Sequence, residues 1–119
     1  MDTGRTARAY RLRADAREAE RVERYRALRR DAALLAAALR EAFGPRVQVY
    51  LFGSLLDLDR FRGGSDLDVA VEGLEPAEYW EAWELAESTV RKASLDLVRL
   101  ETAPAPLREH IRTHGELLT

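Results

Sequence analysis

The chain has 119 residues, 46% of them apolar, and carries 19 Lys+Arg against 21 Asp+Glu for a net charge of −2, which is the composition of one globular domain. No apolar run approaches the ~18–20 residues of a membrane span, and the first residues lead into arginine-rich sequence rather than the apolar stretch of a secretory signal, so a cytoplasmic protein is expected. The absence of cysteine excludes disulfides, thiolate metal sites and cysteine nucleophiles.

In chain order, the first segment is set apart by charge. Residues 1–31 hold ten arginines and six acids, net +4, whereas 32–119 hold nine bases and fifteen acids, net −6. An acidic body behind a basic arm argues against a general nucleic-acid binder, which would be basic throughout. Arg5–Phe43 lacks Gly and Pro, and Val22, Tyr25, Leu28, Ala32, Leu35, Leu39 and Ala42 recur at helical spacing, so one helix face is apolar. Gly44-Pro45 supplies the stop. Such a rod is about 58 Å long at 1.5 Å per residue, against a diameter of about 35 Å for a compact domain of this size. Either the helix breaks and folds back, or its first half projects towards a partner, or that half is a frayed, solvated arm. The expected organisation is an arginine-rich helical arm, 1–31, before a compact domain, 32–119, and the arm offers a surface for a homo-oligomer or a hetero-complex.

Val47–Phe52 reads as a strand, Gly53-Ser54 as its end, Leu55–Leu58 as a short helical turn and Arg60–Ser65 as a loop. Asp66–Val71 is a second strand and Gly73–Pro76 a turn. Ala77–Lys92 reads as a helix with Tyr79, Trp83, Ala86 and Val90 along one stripe. Leu95–Leu100 is a third strand, and Leu107 and Ile111 form the inward face of a last short helix. The whole is an α/β or α+β layer architecture with a small sheet.

Within the second strand, Leu67, Val69 and Val71 take one face and Asp66, Asp68 and Ala70 the other, so two carboxylates point the same way about 6–7 Å apart. Asp96 interrupts the third strand in the same manner. If the two strands are neighbours, Asp96 joins the pair. Each carboxylate pair at 6 Å then costs about 2.8 kcal/mol at an effective dielectric of 20. A hard cation offsets that cost, and an all-oxygen site favours Mg²⁺ or Mn²⁺. The plainer reading is that Asp66 and Asp68 merely begin a strand and Asp96 protects a sheet edge. Gly53 lets backbone N–H groups approach an anion, and Ser54 adds a hydroxyl or serves as an N-cap.

Leu51-Phe52-Gly53-Ser54, Ser65-Asp66-Leu67-Asp68-Val69-Ala70-Val71 and Leu95-Asp96-Leu97-Val98, with the ending Leu107–Leu118, together resemble the minimal nucleotidyltransferases (MNT) of the polymerase-β superfamily that are paired with HEPN-domain proteins. The resemblance spans roughly Leu34 to Leu118 and leaves the arm out. One departure is the loop from Leu55 to Ser65, whose eleven residues exceed by one the spacing in many members and bear on the triphosphate contacts. The resemblance implies a polymerase-β-like fold, a small mixed sheet flanked by helices, behind a long N-terminal helical extension. It assigns Gly53 and Ser54 to the β- and γ-phosphates of a nucleoside triphosphate, with Ser65 helping to position them. It makes Asp66, Asp68 and Asp96 the catalytic and metal residues, Asp66 and Asp68 holding two Mg²⁺ ions and Asp96 completing one of them and accepting the acceptor's proton. Two metals stabilise the entering and leaving oxygens of an in-line displacement, so no histidine base is needed.

The activity implied is transfer of AMP from ATP to a tyrosine hydroxyl of a cognate HEPN toxin, which makes the chain an antitoxin. Two alternatives stand beside it: transfer to a small molecule such as an aminoglycoside, and a non-catalytic antitoxin that masks its partner. Other features carry less. His110 and His114 have metal-ligand spacing without a third ligand, and Trp80 and Trp83 fit a core or an interface better than a nucleobase. Arg60 and Arg62 fit a triphosphate, a partner or plain solvent.

Overall fold

A computed structural model describes residues 3–64, 66–91 and 93–118. Helix α1 (Thr3–Phe43) is a single unbroken rod of 41 residues. The projecting alternative is therefore the observed one, and the molecule measures 67 × 29 × 19 Å. The body-facing half of α1 buries Leu28, Ala32, Leu35, Ala36 and Leu39, while Tyr10 and Leu12 further out are exposed. Gly44 stops the helix with φ +100°, its N–H returning to Arg40 O at 2.8 Å, as a left-handed C-terminal glycine does.

Strand β1 (Gln48–Phe52) runs into a 3₁₀ turn at Gly53–Leu56, and a loop leads to β2 (Asp66–Glu72). A 3₁₀ turn at Pro76–Glu78 precedes α2 (Tyr79–Thr89), which is shorter than the helix expected over Ala77–Lys92. Val90 is already extended, its side chain buried, and Lys92 lies outside the described residues. Strand β3 (Ser94–Arg99), α3 (Ala105–His114) and β4 (Glu116–Leu117) complete the chain. The sequence pattern did not reveal β4, because two residues carry no periodicity; it pairs with β1 through Tyr50↔Leu117 and Leu51↔Glu116.

The sheet order is β3-β2-β1-β4, antiparallel except for the parallel β2–β3 pair that α2 connects, as a parallel pair requires a crossover. Leu67, Val69 and Val71 of β2 join Val49 and Leu51 of β1 in a core covered by α1 and α2. The opposite face is thinner. There Ala70 is buried with Leu100 and Ile111 against α3, so the face that carries the acids is covered at one end and open at the other.

The loop between β1 and β2 is pinned rather than floppy. Phe61 is fully buried and its ring meets Tyr25 of α1 at 5.8 Å. From α1, the Arg21 guanidinium donates to Leu58 O at 2.6 Å and Phe61 O at 2.7 Å. Arg29 donates to Leu55 O at 2.8 Å and pairs with Glu116 of β4, so one helix face fixes the turn, the loop and the last strand together. Among the described residues no helix is long and apolar enough to cross a membrane.

Candidate active site

Parallel pairing of β2 and β3 sets Asp68 directly beside Asp96, and Asp66 beside Ser94. Adjacent strands lie about 4.8 Å apart, and side chains in register share a face. The structure therefore brings all three acids expected from the sequence to one end of the sheet. They differ in environment: Asp66 and Asp96 are exposed, Asp68 half-buried. Burial foremost, then the charges of Asp96 and Asp66, raises the Asp68 carboxyl above the usual aspartate range, as desolvation and like charge both disfavour the ionised form.

Phe52 pairs with Asp68 across β1 and β2, so the turn that follows Phe52 begins against the acids. Gly53 takes φ +81°, and a Cβ at that position would overlap Asp68 Oδ2. Only a glycine lets the backbone pass this close to the carboxylate in a left-handed conformation. Ser54 is half-buried inside the 3₁₀ turn. The residue before the turn is Phe52, so the N-cap reading of Ser54 is not what the fold uses. Ser65 lies outside the described residues.

Two clefts border this constellation. A groove of about 380 Å³ is lined by Gly53, Leu56, Arg60, His110 and His114. The two histidines, ordinary as a pair on a helix, thus face the Gly53 turn from α3, with ring centroids 4.9 Å apart. Nothing in the sequence pattern brings α3 to that turn; the register of β4 does. On the other side, a groove of about 500 Å³ runs from Asp96 past Tyr79, Pro104 and Leu107. Trp80, expected in a core or an interface, is 73% exposed beyond it.

The donor set fits a hard divalent cation in a particular way. Among the described residues no three His, Asp, Glu or Cys side chains converge on one point as a ready-made cage. Three carboxylates on adjacent strands, one of them disfavoured as a bare charge, instead form an open shelf. That suits Mg²⁺, which is held by one or two carboxylates plus phosphate oxygens rather than by an all-protein cage.

Residues 41–119 match the family model described as Polymerase beta, Nucleotidyltransferase. No curated protein matches the chain. Among solved structures, a crystal structure of a toxin–antitoxin with AMP-PNP is 28% identical over 73% of this chain and 72% of that one, with a TM-score of 0.57. The MntA-HepT toxin–antitoxin is 26% identical over 76% and 71%, with a TM-score of 0.55. A complex of tri-AMPylated Shewanella oneidensis HEPN toxin with MNT antitoxin is 28% identical over 70% and 65%, with a TM-score of 0.50.

Proposed function

The chain belongs to the polymerase-β nucleotidyltransferase family, and from that premise we propose that it transfers AMP from ATP to a tyrosine hydroxyl of a HEPN-type toxin, as the antitoxin of the pair. The observation that carries this reading is the register of Asp68 with Asp96 at the foot of the Gly53 turn. It is supported by likeness to the MNT partner of an AMPylated HEPN toxin and to a toxin–antitoxin with AMP-PNP. In this reading residues 32–119 are the catalytic domain and 1–31 the arm.

The roles are those the family resemblance implies, and the positions of the side chains are compatible with them. Asp66 and Asp68 would hold two divalent cations, with Asp96 completing one of them. Bound there, the cations stabilise charge on the entering and leaving oxygens of an in-line displacement. Gly53 and Ser54 grip the β- and γ-phosphates through backbone N–H groups and the hydroxyl, with Ser65 alongside. Asp96 faces open groove, where it orients the acceptor hydroxyl and takes its proton as the new O–P bond forms and pyrophosphate departs.

The test is incubation with labelled ATP, Mg²⁺ and a HEPN-type toxin. AMP increments on that protein, abolished by Asp66→Asn/Asp68→Asn, are expected. Label on an aminoglycoside and on no protein moves the acceptor to a small molecule. Full neutralisation of the toxin by the double variant makes masking, not catalysis, the antitoxin's mode of action.

A further inference from the structure

The groove that starts at Asp96 does not end there. Tyr79 lines it and also lines a second recess of about 490 Å³ with Trp80, Trp83, Glu84 and Glu87. The Tyr79 ring meets Trp80 at 5.8 Å and Trp83 at 6.4 Å, both edge to face. The surface leading away from Asp96 is thus an aromatic shelf edged by carboxylates. Such a shelf recognises guanidinium groups, which stack on indole faces while pairing with acids.

The chain itself carries a segment of that chemistry. Tyr10 is flanked by Arg8, Arg11 and Arg13 and is 64% exposed. The other three tyrosines are engaged in the body. Tyr25 packs on Phe61, Tyr50 joins the α3-side core, and the Tyr79 hydroxyl donates to Leu97 O. Charge is complementary as well, net +4 in residues 1–31 against −6 in 32–119. Tyr10 lies eleven residues beyond Arg21, which bonds to the loop, or about 16 Å further along a continuous helix. A rigid rod of that kind presents its tyrosine to another molecule.

We propose that the arm of a second copy lies along this shelf, its arginines on Trp80, Glu84 and Glu87, and that the second copy's Tyr10 is adenylylated in trans. The inference rests on the nucleotidyl-transfer reading above and adds an acceptor within the chain. The Tyr10 phenolic oxygen attacks the α-phosphorus of ATP. The Oη–P bond forms, the bond from the α-phosphorus to the bridging oxygen breaks, and pyrophosphate leaves with that electron pair. The phenolic proton passes to Asp96.

The experiment uses the full-length protein with ATP and Mg²⁺ and no partner, read by intact mass and peptide mapping. An AMP increment on the Tyr10 peptide is expected. Tyr10→Phe abolishes it, and Trp80→Ala or Glu84→Lys/Glu87→Lys lowers its rate at least tenfold. A tagged Asp66→Asn/Asp68→Asn chain mixed with wild type becomes labelled, because the wild-type copy acts on it. Absence of label on Tyr10, or label at another residue only, in a preparation that adenylylates the HEPN partner overturns this inference alone. Absence of label on both acceptors overturns the nucleotidyl-transfer reading with it.

Discussion

Burial and two neighbouring acids raise the Asp68 carboxyl above its ordinary range, so the folded chain holds a proton there more tightly than the unfolded chain does. In metal-free protein the native state gains from that proton at low pH. The gain is lost as pH rises from the ordinary aspartate value through the raised one. Asp68→Asn removes the penalty, so in EDTA it should melt above wild type at neutral pH, with the difference shrinking towards acid. A variant melting below wild type at neutral pH would mean that favourable bonds, not like charges, dominate around the carboxylate. Gly53 is the second such residue. Gly53→Ala forces an alanine into a left-handed conformation, which costs about 1–3 kcal/mol, and drives its Cβ into Asp68 Oδ2. Denaturant melts should show that loss, and adding Asp68→Ala should recover only part of it, because the overlap is relieved and the backbone strain is not. These two residues were legible in the sequence only in combination: the Gly-Ser strand end is weak on its own and gains force from the Asp-x-Asp strand and the lone Asp96 that follow it. His110 and His114 were not, because their place beside Gly53 depends on how α3 and β4 return to β1.

Helix α1 combines a packed half and a projecting half in one rod. Its composition shows that it is helical, and its stripe of apolar residues from Val22 onward shows which part packs, but continuity past Arg21 is not encoded by any single signal. Contacts from Arg21, Arg29 and Tyr25 to the β1–β2 loop decide where the body ends, and such side-chain-to-carbonyl bonds leave no periodic trace. Phe61 was hidden in the same way, an apolar residue between two arginines that reads as loop surface and is in fact buried core. The division of α1 is measurable. Leu28→Ala, in the packed half, should cost about 2–5 kcal/mol, whereas Leu12→Ala, on the exposed half, should stay within about 0.5 kcal/mol of wild type. Equal losses in denaturant melts would place the arm against the body in solution.

The molecule is more extended than its length requires. Its radius of gyration is 17.9 Å, against about 13–14 Å for a compact chain of this size. Small-angle scattering from dilute protein should return a value near the former, and removal of residues 1–20 should bring it to roughly the latter.

If the acids hold a cation as proposed, their open shelf governs how the entire fold responds to ligands. In the proposed reading, a cation bound only by Asp66, Asp68 and Asp96 would lack the phosphate oxygens that complete its shell, and a triphosphate bound only at the Gly53 turn would lie against three uncompensated carboxylates. Each ligand therefore improves the site for the other, and the coupling is reciprocal. With Mg²⁺ and ATP taken together as one ligand, at about a hundred times the dissociation constant of the pair, the native state gains about 2.7 kcal/mol, or roughly 8–16 °C in Tm for a domain of this length. Mg²⁺ alone and ATP in EDTA should each give far less than this, and less in sum than the pair together. Asp66→Asn/Asp68→Asn should remove the cooperative part. If Mg²⁺ alone shifted melting as far as Mg²⁺ with ATP, the acids would form a closed cage that needs no phosphate, and the Gly53 turn would have no part in completing the cation's shell.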